Sequence, residues 1–328
     1  MTTAKVLSAR VGERTWQFKA LTDLWTGSVT LEAKDGQIKE KTGPGRLINT
    51  GLLGSIRWWF EVLVRGLGGK ACDPTDTKYE DRNHCVVCEL FGCTGWARKF
   101  RFEVLDEKGK IKTDQIRQGK PFSLRFIPLR PIRIEEWTLL DATIRLIAEY
   151  GAIGGKTVFK PTDESGRASK LHHKDYGLVK ITTSQQFDGT GRDDLETYLF
   201  KWRKLDNGEF ACASLQHFWC VNGKYLGRQD NNKSTFNQVI GRPEPKQQSG
   251  QNDSWIAGRR PDRSNNIEAE SKKVFSFKNP PRTFGFVKPG LIDFDPRPLF
   301  QGVRRELFPM LSSRYSSRSL TRKCQAER

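Results

Sequence analysis

The sequence predicts an α+β fold whose first half follows the ferredoxin-like plan. Three observations lead to this class. The predicted elements up to residue 182 follow the order strand, helix, two strands, helix and strand. The chain is 328 residues long, which is sufficient for two domains. A cysteine-rich segment also interrupts the order after the first helix. The order itself is the split βαβ arrangement, which RNA-recognition domains share.

Hydrophobic periodicity locates each element. Alternation predicts strands, and apolar residues at helical spacing predict amphipathic helices. The predicted elements are strands at 15–21, 98–106, 121–129 and 176–182 and helices at 51–67 and 136–150. On the first helix, Arg57, Glu61 and Arg65 fall away from the apolar stripe. After residue 183 the pattern weakens, and it indicates one helix at 191–204 and one strand at 274–287.

Composition divides the chain into three parts. We expect an N-terminal domain at 1–183 with the cysteine-rich insertion 72–93, a second, divergent domain at 184–312, and a basic tail at 313–328. Residues 241–272 are rich in Gly, Pro, Gln, Asn and Ser, which is typical of a polar loop. The tail carries five basic residues, and we expect it to become ordered on RNA or on a partner.

The charge of the chain favours a polyanionic partner. Lys and Arg number 56 against 38 Asp and Glu, a net charge of +18 with a pI near 9.7. Such an excess repels itself in the compact state but attracts nucleic acid by counterion release. The sequence has neither a stretch of ~20 apolar residues nor a leader, so we expect nucleic acid rather than a membrane, in the cytoplasm. The alternative is a basic protein whose excess charge serves only its solubility.

The cysteines predict a structural zinc site. The chain has seven cysteines and no signal peptide, which indicates a reducing compartment, where clustered cysteines bind metal more often than they form disulfides. Cys85 and Cys88 form a CxxC turn, and Cys72 and Cys93 flank it as the remaining ligands of a tetrahedral site. His84 is the alternative fourth ligand. A redox pair and unliganded core cysteines are the competing interpretations.

A glycine turn follows the second predicted helix. Gly154 and Gly155 would let an RNA backbone approach closely, and Lys156 and Lys160 would add charge. The alternative is a helix cap followed by a tight turn. The turn also resembles a nucleotide-binding P-loop, but Tyr150 stands where that motif requires glycine, which disfavours this interpretation.

Further RNA contacts are predicted at the first helix and at the strand that follows the cysteines. Arg57 would bind phosphate and Trp58 would stack on a base, whereas Trp59 is expected in the core. Lys99 and Arg101 should share one face of the strand. The full set outside the glycine turn is Arg46, Ser55, Arg57, Trp58, Arg98, Lys99 and Arg101.

Five segments together resemble the RAMP superfamily of CRISPR proteins. They are Leu-Trp-Thr-Gly at 24–27, the helix start at 50–60, the Cys-x-x-Cys-x-Leu-Phe-Gly run at 85–92, Thr-Gly-Trp at 94–96, and the glycine turn 151–157 with Tyr-Gly-Leu-Val at 176–179. The runs at 50–60 and 90–96 are most similar to the first RAMP subunit of the type III-B, or Cmr, effector complex. The resemblance covers about residues 12–182.

The resemblance implies tandem ferredoxin-like domains and a place in a ribonucleoprotein of antiviral defence. Such a subunit caps the 3′ region of the CRISPR guide RNA, helps bind complementary target RNA, lies beside other RAMP subunits and is not an enzyme. Asp23 keeps a RAMP endoribonuclease as the alternative, because the family's cleaving aspartate follows the first strand of another subunit. The chain departs from the family in a polar insertion at about 158–174, and zinc is commoner in other branches.

Overall fold

The structure, a computed structural model, describes most of the chain between residues 12 and 287. The described residues are 12–27, 29–34, 37–42, 45–72, 84–155, 161–168, 170–185, 188–202, 208–230, 233–239, 258, 264 and 272–287. The predicted tail 313–328 lies outside them, as does the predicted polar loop 241–272 apart from residues 258, 264 and 272.

A four-stranded antiparallel sheet organises the first half. Its strands are β1 (Arg14–Ala20), β4 (Phe100–Leu105), β5 (Pro121–Pro128) and β6 (Val179–Ser184), in the order β4-β5-β1-β6. Helix α1 (Asn49–Gly66) connects β1 to the cysteine segment, and helix α3 (Ile134–Glu149) connects β5 to β6. The α+β class is confirmed, and this order is that of the ferredoxin-like plan.

The core lies between this sheet and the two helices. Alternate residues of β1 and β5 point towards the helices, among them Trp16, Phe18, Phe122 and Phe126, and all four are buried. Phe126 lies at the centre of the ring contacts, with its centroid 4.9 Å from that of Phe100. Every aromatic residue of these four strands is buried. The sheet therefore uses its aromatic side chains for packing and not as the base-stacking surface of an RNA-recognition domain.

A second, three-stranded sheet packs on the other side of α1. Its strands are β7 (Phe218–Asn222), β8 (Val274–Lys278) and β9 (Pro281–Phe286), in the order β7-β9-β8. Trp59 contacts Phe218 and Phe284, at centroid distances of 5.7 and 5.6 Å. The described residues give three strands here, so the second ferredoxin-like copy stays a prediction, as do the domain boundaries.

Several short elements differ from the sequence prediction. The strand predicted at 274–287 is the β8-β9 hairpin, which turns at Asn279-Pro280 because an Asn-Pro pair is a turn signal. The predicted loop before α1 contains the hairpin of β2 (Val29–Lys34) and β3 (Gln37–Thr42). The remaining helices are α2 (Val86–Phe91), α4 (Ser165–Ala168), α5 (Arg192–Phe200) and α6 (Thr235–Val239).

A helix must be long and apolar to cross a membrane, and the described residues form several helices. None of them combines the length and the apolar character that a crossing requires.

Candidate nucleic-acid interface

Loops meet at the end of the four-stranded sheet where β1 ends, and we call this the loop junction. It consists of segments 21–27, 46–48, 113–119, 151–155 and 175–178. The central segment 21–27 contacts each of the others. Its hydrogen bonds include Gly155 N to Trp25 O (2.9 Å), Gly177 N to Asp23 O (2.9 Å), Leu24 N to Ile116 O (3.0 Å) and Ile48 N to Thr26 Oγ1 (2.9 Å). All the segments except 113–119 contain or adjoin a RAMP-like motif of the sequence.

Glycines allow the backbones of the loop junction to approach closely. A Cβ atom on Gly177 would lie 2.1 Å from Ile153 O, and one on Gly51 would lie 2.2 Å from Thr26 O. Gly154 has a φ of +128°, and its Cβ would lie 2.7 Å from Trp25 O. Since no side chain fits in such spaces, these positions require glycine for packing.

The predicted glycine turn is thus part of the loop junction. Gly155 packs against Thr26, where an added Cβ would be 3.1 Å from the carbonyl carbon. The close approach that the sequence predicts for an RNA backbone is made here by the chain's own segment 24–27, and RNA contact by Gly154 and Gly155 stays a prediction. Lys156 and Lys160 lie outside the described residues.

An arginine that the sequence analysis did not single out stabilises this turn from the second sheet. Arg282 donates hydrogen bonds to Gly151 O (2.8 Å) and Ala148 O (3.2 Å) and so satisfies carbonyls at the end of α3. Burial lowers the pKa of Arg282. A cation at a helix C-terminus is stabilised by the helix dipole. No local pattern signals this contact, because 131 residues separate Arg282 from Gly151.

Ser55 and Trp58 both have partners within the fold. Ser55 Oγ accepts a hydrogen bond from Gly154 N at 3.1 Å, which ties α1 to the glycine turn. Trp58 is half-buried, with its ring 4.9 Å from that of Trp59 and 5.6 Å from that of Phe286, both edge-on. The structure gives Trp58 a packing role between the two sheets, and Trp59 is buried as predicted.

Arg57 points towards the cysteine segment. Its guanidinium donates to Glu61 Oε1 (3.1 Å), Gly92 O (2.6 Å) and Cys88 Sγ (3.3 Å). Only 17% of the side chain is exposed. The guanidinium is therefore engaged within the fold rather than presented to a phosphate.

We expect Arg57→Ala to destabilise the fold without changing the salt dependence of RNA binding. The variant leaves Glu61 without this partner, and truncating one member of a buried ion pair costs roughly 3–5 kcal/mol. Denaturant unfolding measures the loss, with the exposed Arg98→Ala as the control. A phosphate contact, as the sequence predicts, would instead reduce the salt slope of binding by about one unit. That reduction, with unchanged stability, would contradict the internal role.

The predicted basic strand presents its cations unequally. Arg98 and Arg101 are exposed, and Arg101 Nε lies 2.9 Å from Glu103 Oε1. Lys99 is buried, with Nζ 2.6 Å from Glu89 Oε1 and 2.8 Å from Glu136 Oε1. The prediction that Lys99 and Arg101 share a face is wrong, because β4 begins at Phe100 and Lys99 turns inwards to buried carboxylates.

Arg46 lies in the loop junction with its side chain exposed. Its carbonyl accepts a hydrogen bond from Thr26 Oγ1 at 3.4 Å, so the backbone is fixed beside the start of α1. Of the predicted contacts outside the glycine turn, Arg46, Arg98 and Arg101 are the cations that the structure presents at the surface.

Three of the four predicted zinc ligands lie together. Cys72 Sγ is 3.3 Å from Cys85 Sγ and 3.1 Å from Cys88 Sγ, and all three side chains are buried. Cys85 is the N-cap of α2, and its sulfur accepts from Cys88 N. Three converging thiols suit a soft metal ion such as zinc. Arg57 donates an N–H···S hydrogen bond to Cys88 Sγ. Hydrogen-bond donors that surround a metal site stabilise metal-bound thiolates, so this contact suits a thiolate at Cys88.

Neither predicted fourth ligand belongs to this group among the described residues. The main chain of Cys93 pairs with that of Trp96 in a tight turn. His84 Nε2 lies 2.6 Å from Glu89 Oε2, and its ring stacks on Trp96 at 4.7 Å. The structure brings three of the four predicted ligands together, and the fourth ligand, Cys93 or His84, stays a prediction.

Asp23 has a structural partner. Its Oδ1 accepts a hydrogen bond from Gln118 N at 2.8 Å, which joins two loops of the junction. The charge of Asp23 also affects Tyr176. Burial, together with the negative charge of Asp23, raises the pKa of Tyr176 to about 12. The phenol therefore stays protonated at neutral pH.

The chain has similarities to one known family and to several solved structures. The family model described as RAMP superfamily matches residues 17–159. No curated protein matches the sequence. A crystal structure of Cmr1 from Pyrococcus furiosus in its apo form is similar, with a TM-score of 0.39 and 9% identity over 84% of this chain and 88% of that chain.

Two further structures are similar. One is a cryo-EM structure of the type III-B Cmr-beta bound to cognate target RNA, with a TM-score of 0.31 and 11% identity over 81% of this chain and 68% of that chain. The other is a crystal structure of the Csm3-Csm4 subcomplex in the type III-A CRISPR-Cas interference complex, with a TM-score of 0.26. The identity is 14% over 59% of this chain and 96% of that chain. The similarity to the RAMP superfamily rests on the matched segment, residues 17–159, which is less than half of the 328-residue chain.

Proposed function

We propose that the chain is a non-catalytic, RNA-binding subunit of a type III-B CRISPR ribonucleoprotein effector complex. In this proposal it lies at the end of the complex that contains the 3′ region of the guide RNA, contacts other RAMP subunits, and helps bind complementary target RNA in antiviral defence. The observation that carries the proposal is the RAMP-superfamily match over residues 17–159. That segment includes the end of β1 together with β4, β5, α1 and α3.

Charge supports RNA as the partner. The net charge of +18 favours binding to a polyanion through counterion release. Arg46 is exposed in the loop junction, where the RAMP-like motifs converge, and Arg98 and Arg101 are exposed beside β4. Exposed cations on ordered loops and strands can bind phosphates and fix the register of a strand without reading its bases.

The proposal of a non-catalytic role rests on the surroundings of Asp23. Its carboxylate oxygen Oδ1 accepts a hydrogen bond from the backbone amide of Gln118, which gives Asp23 a structural role in the loop junction. A ribonuclease needs a group that accepts a proton and one that donates it near the scissile phosphate. The position of Asp23, just after β1, supports the alternative of a RAMP endoribonuclease.

We further propose that Cys72, Cys85 and Cys88 bind a structural zinc ion. Bound zinc would join the segment after α1 to α2 and so close the intervening loop. It would supply cross-linking and no chemistry, as in other structural thiolate sites.

Cleavage by the isolated chain tests the non-catalytic proposal. The purified protein is incubated with guide RNA and labelled complementary RNA, with and without divalent metal, and products are resolved by size. We expect intact RNA with the wild type. Cleavage by the wild type that Asp23→Ala abolishes would replace the proposal with the endoribonuclease alternative.

A further inference from the structure

One face of the four-stranded sheet points away from α1 and α3, and we call it the outer face. On β1 and β6 it carries polar side chains, whereas β5 contributes Pro121, Ser123, Arg125 and the buried Ile127. Its members on these strands include Gln17, Lys19, Ser123, Lys180 and Thr183. All of them are exposed except Ser123, which is half-buried.

Two lysines lie directly opposite each other on the outer face. Lys19 of β1 pairs in register with Lys180 of β6, and both side chains are exposed. Opposed side chains of neighbouring strands have Cβ atoms about 4.5–5.5 Å apart, so like charges there repel. Among the described residues, neither lysine forms an ion pair with an acidic side chain. The fold retains an uncompensated charge pair that an anion would neutralise.

The next row on the same face consists of hydrogen-bonding side chains. Gln17 pairs in register with Ser123 on β5 and with Thr183 on β6. Amide and hydroxyl groups of this kind contact phosphate oxygens and sugars in protein complexes with nucleic acids. One step along the strands therefore moves from a cationic row to a neutral polar row.

The turn before β5 extends the positive charge. Arg117 and Lys120 are exposed there, and the turn is fixed to the end of β1 by the hydrogen bonds Gly119 N to Ala20 O (2.8 Å) and Ala20 N to Lys120 O (3.0 Å). The acidic groups of this turn are engaged. Asp114 pairs with Lys112 at 2.8 Å, and Asp23 accepts the amide of Gln118.

We propose that the outer face binds an RNA backbone, with Lys19 and Lys180 on neighbouring phosphates and with Gln17, Ser123 and Thr183 on the adjoining sugars. On this face, the described residues of the four strands present no aromatic ring for base stacking, so the contact is independent of sequence. The large apolar side chains on this face, Leu105 and Ile127, are buried. The exposed part offers charges, amides and hydroxyls, which favours RNA over a lipid surface. The choice of RNA as the anion rests on the proposed function, whereas the surface itself is separate from the loop contacts that the sequence predicts.

The test compares Lys19→Gln/Lys180→Gln with a matched double variant, Lys224→Gln/Lys233→Gln, in the full chain. Lys224 and Lys233 are also exposed lysines, but they lie outside the four-stranded sheet. Binding of a labelled single-stranded RNA is measured by anisotropy at several salt concentrations. We expect the first variant to bind about tenfold more weakly and to lose about 1.4 units of salt slope, since each single-strand phosphate contact contributes about 0.7.

The outcomes separate the two proposals. If both double variants bind like the wild type, the outer face is not an RNA surface, and the proposed function stands. If the wild type binds no RNA, the proposed function fails and the outer-face proposal fails with it. Thermal unfolding without RNA provides the fold control. The Lys19→Gln/Lys180→Gln variant should melt at the wild-type temperature or above it, because it removes a repulsion. A lower melting temperature would contradict the uncompensated pair on which the proposal rests.

Discussion

Gly177→Ala should lower the free energy of unfolding by more than about 3 kcal/mol, because strain of two kinds coincides there. The backbone of Gly177 has a φ of +83°, which costs an L-residue roughly 1–2 kcal/mol. Its Cβ would in addition lie 2.1 Å from Ile153 O, so a backbone carbonyl would have to move. That movement would also break the hydrogen bond from Ile153 N to Gly177 O, now 2.8 Å.

Denaturant unfolding of matched glycine variants measures this effect. Gly223 has a similar φ of +80°, but a Cβ atom there would meet nothing within 4 Å. Gly223→Ala should therefore lose only the free energy that a positive φ costs an L-residue. A second pair lies within α1. Gly51→Ala would place Cβ 2.2 Å from Thr26 O, whereas Gly54→Ala meets nothing and should gain up to about 1 kcal/mol. Equal losses for Gly177→Ala and Gly223→Ala would contradict a closely packed loop junction.

Cys85→Ser should abolish metal binding. We expect protein purified from zinc-replete cells to contain about one zinc ion per chain, as a closed structural site requires. Elemental analysis should find almost none in Cys85→Ser, because Cys85 is one of the three grouped thiols. The variant should also unfold more easily, since metal binding and folding are coupled.

Cys93→Ser is the control that separates the two ligand sets. The sequence places Cys93 among the ligands, whereas the structure leaves it outside the group of three. Retained zinc in Cys93→Ser would support the structure, and its loss would support the four-cysteine set. A metal-free wild type would contradict both and would leave Cys72, Cys85 and Cys88 as core thiols.

Local pattern was sufficient to predict the first sheet, because its strands alternate and its helices carry continuous apolar stripes. The β2-β3 hairpin was missed although Asp35-Gly36, a strong two-residue turn signal, lies between its strands. The strand β7 lies in a region of weak alternation, where four of five residues are buried on both faces of the sheet.

Side-chain environments depended on contacts that the sequence does not display. Arg57, Glu61 and Arg65 fall away from the apolar stripe of α1, which indicates a solvated face. In the structure Glu61 and Arg65 are buried, because the cysteine segment and residues 213–215 cover this side. Arg65 donates to Ala213 O, 148 residues further along the chain. Lys99 was misplaced for the same reason, since its carboxylate partner Glu136 comes from α3.

The central claim is that this chain works as an RNA-binding subunit among other RAMP proteins. Its most direct test is purification of the tagged chain from its native host at low salt, with sequencing of the bound RNA and identification of the bound proteins. The account predicts guide RNAs that share a repeat-derived 5′ tag, together with other RAMP subunits. A monomer that carries mixed cellular RNA, or none, would contradict it.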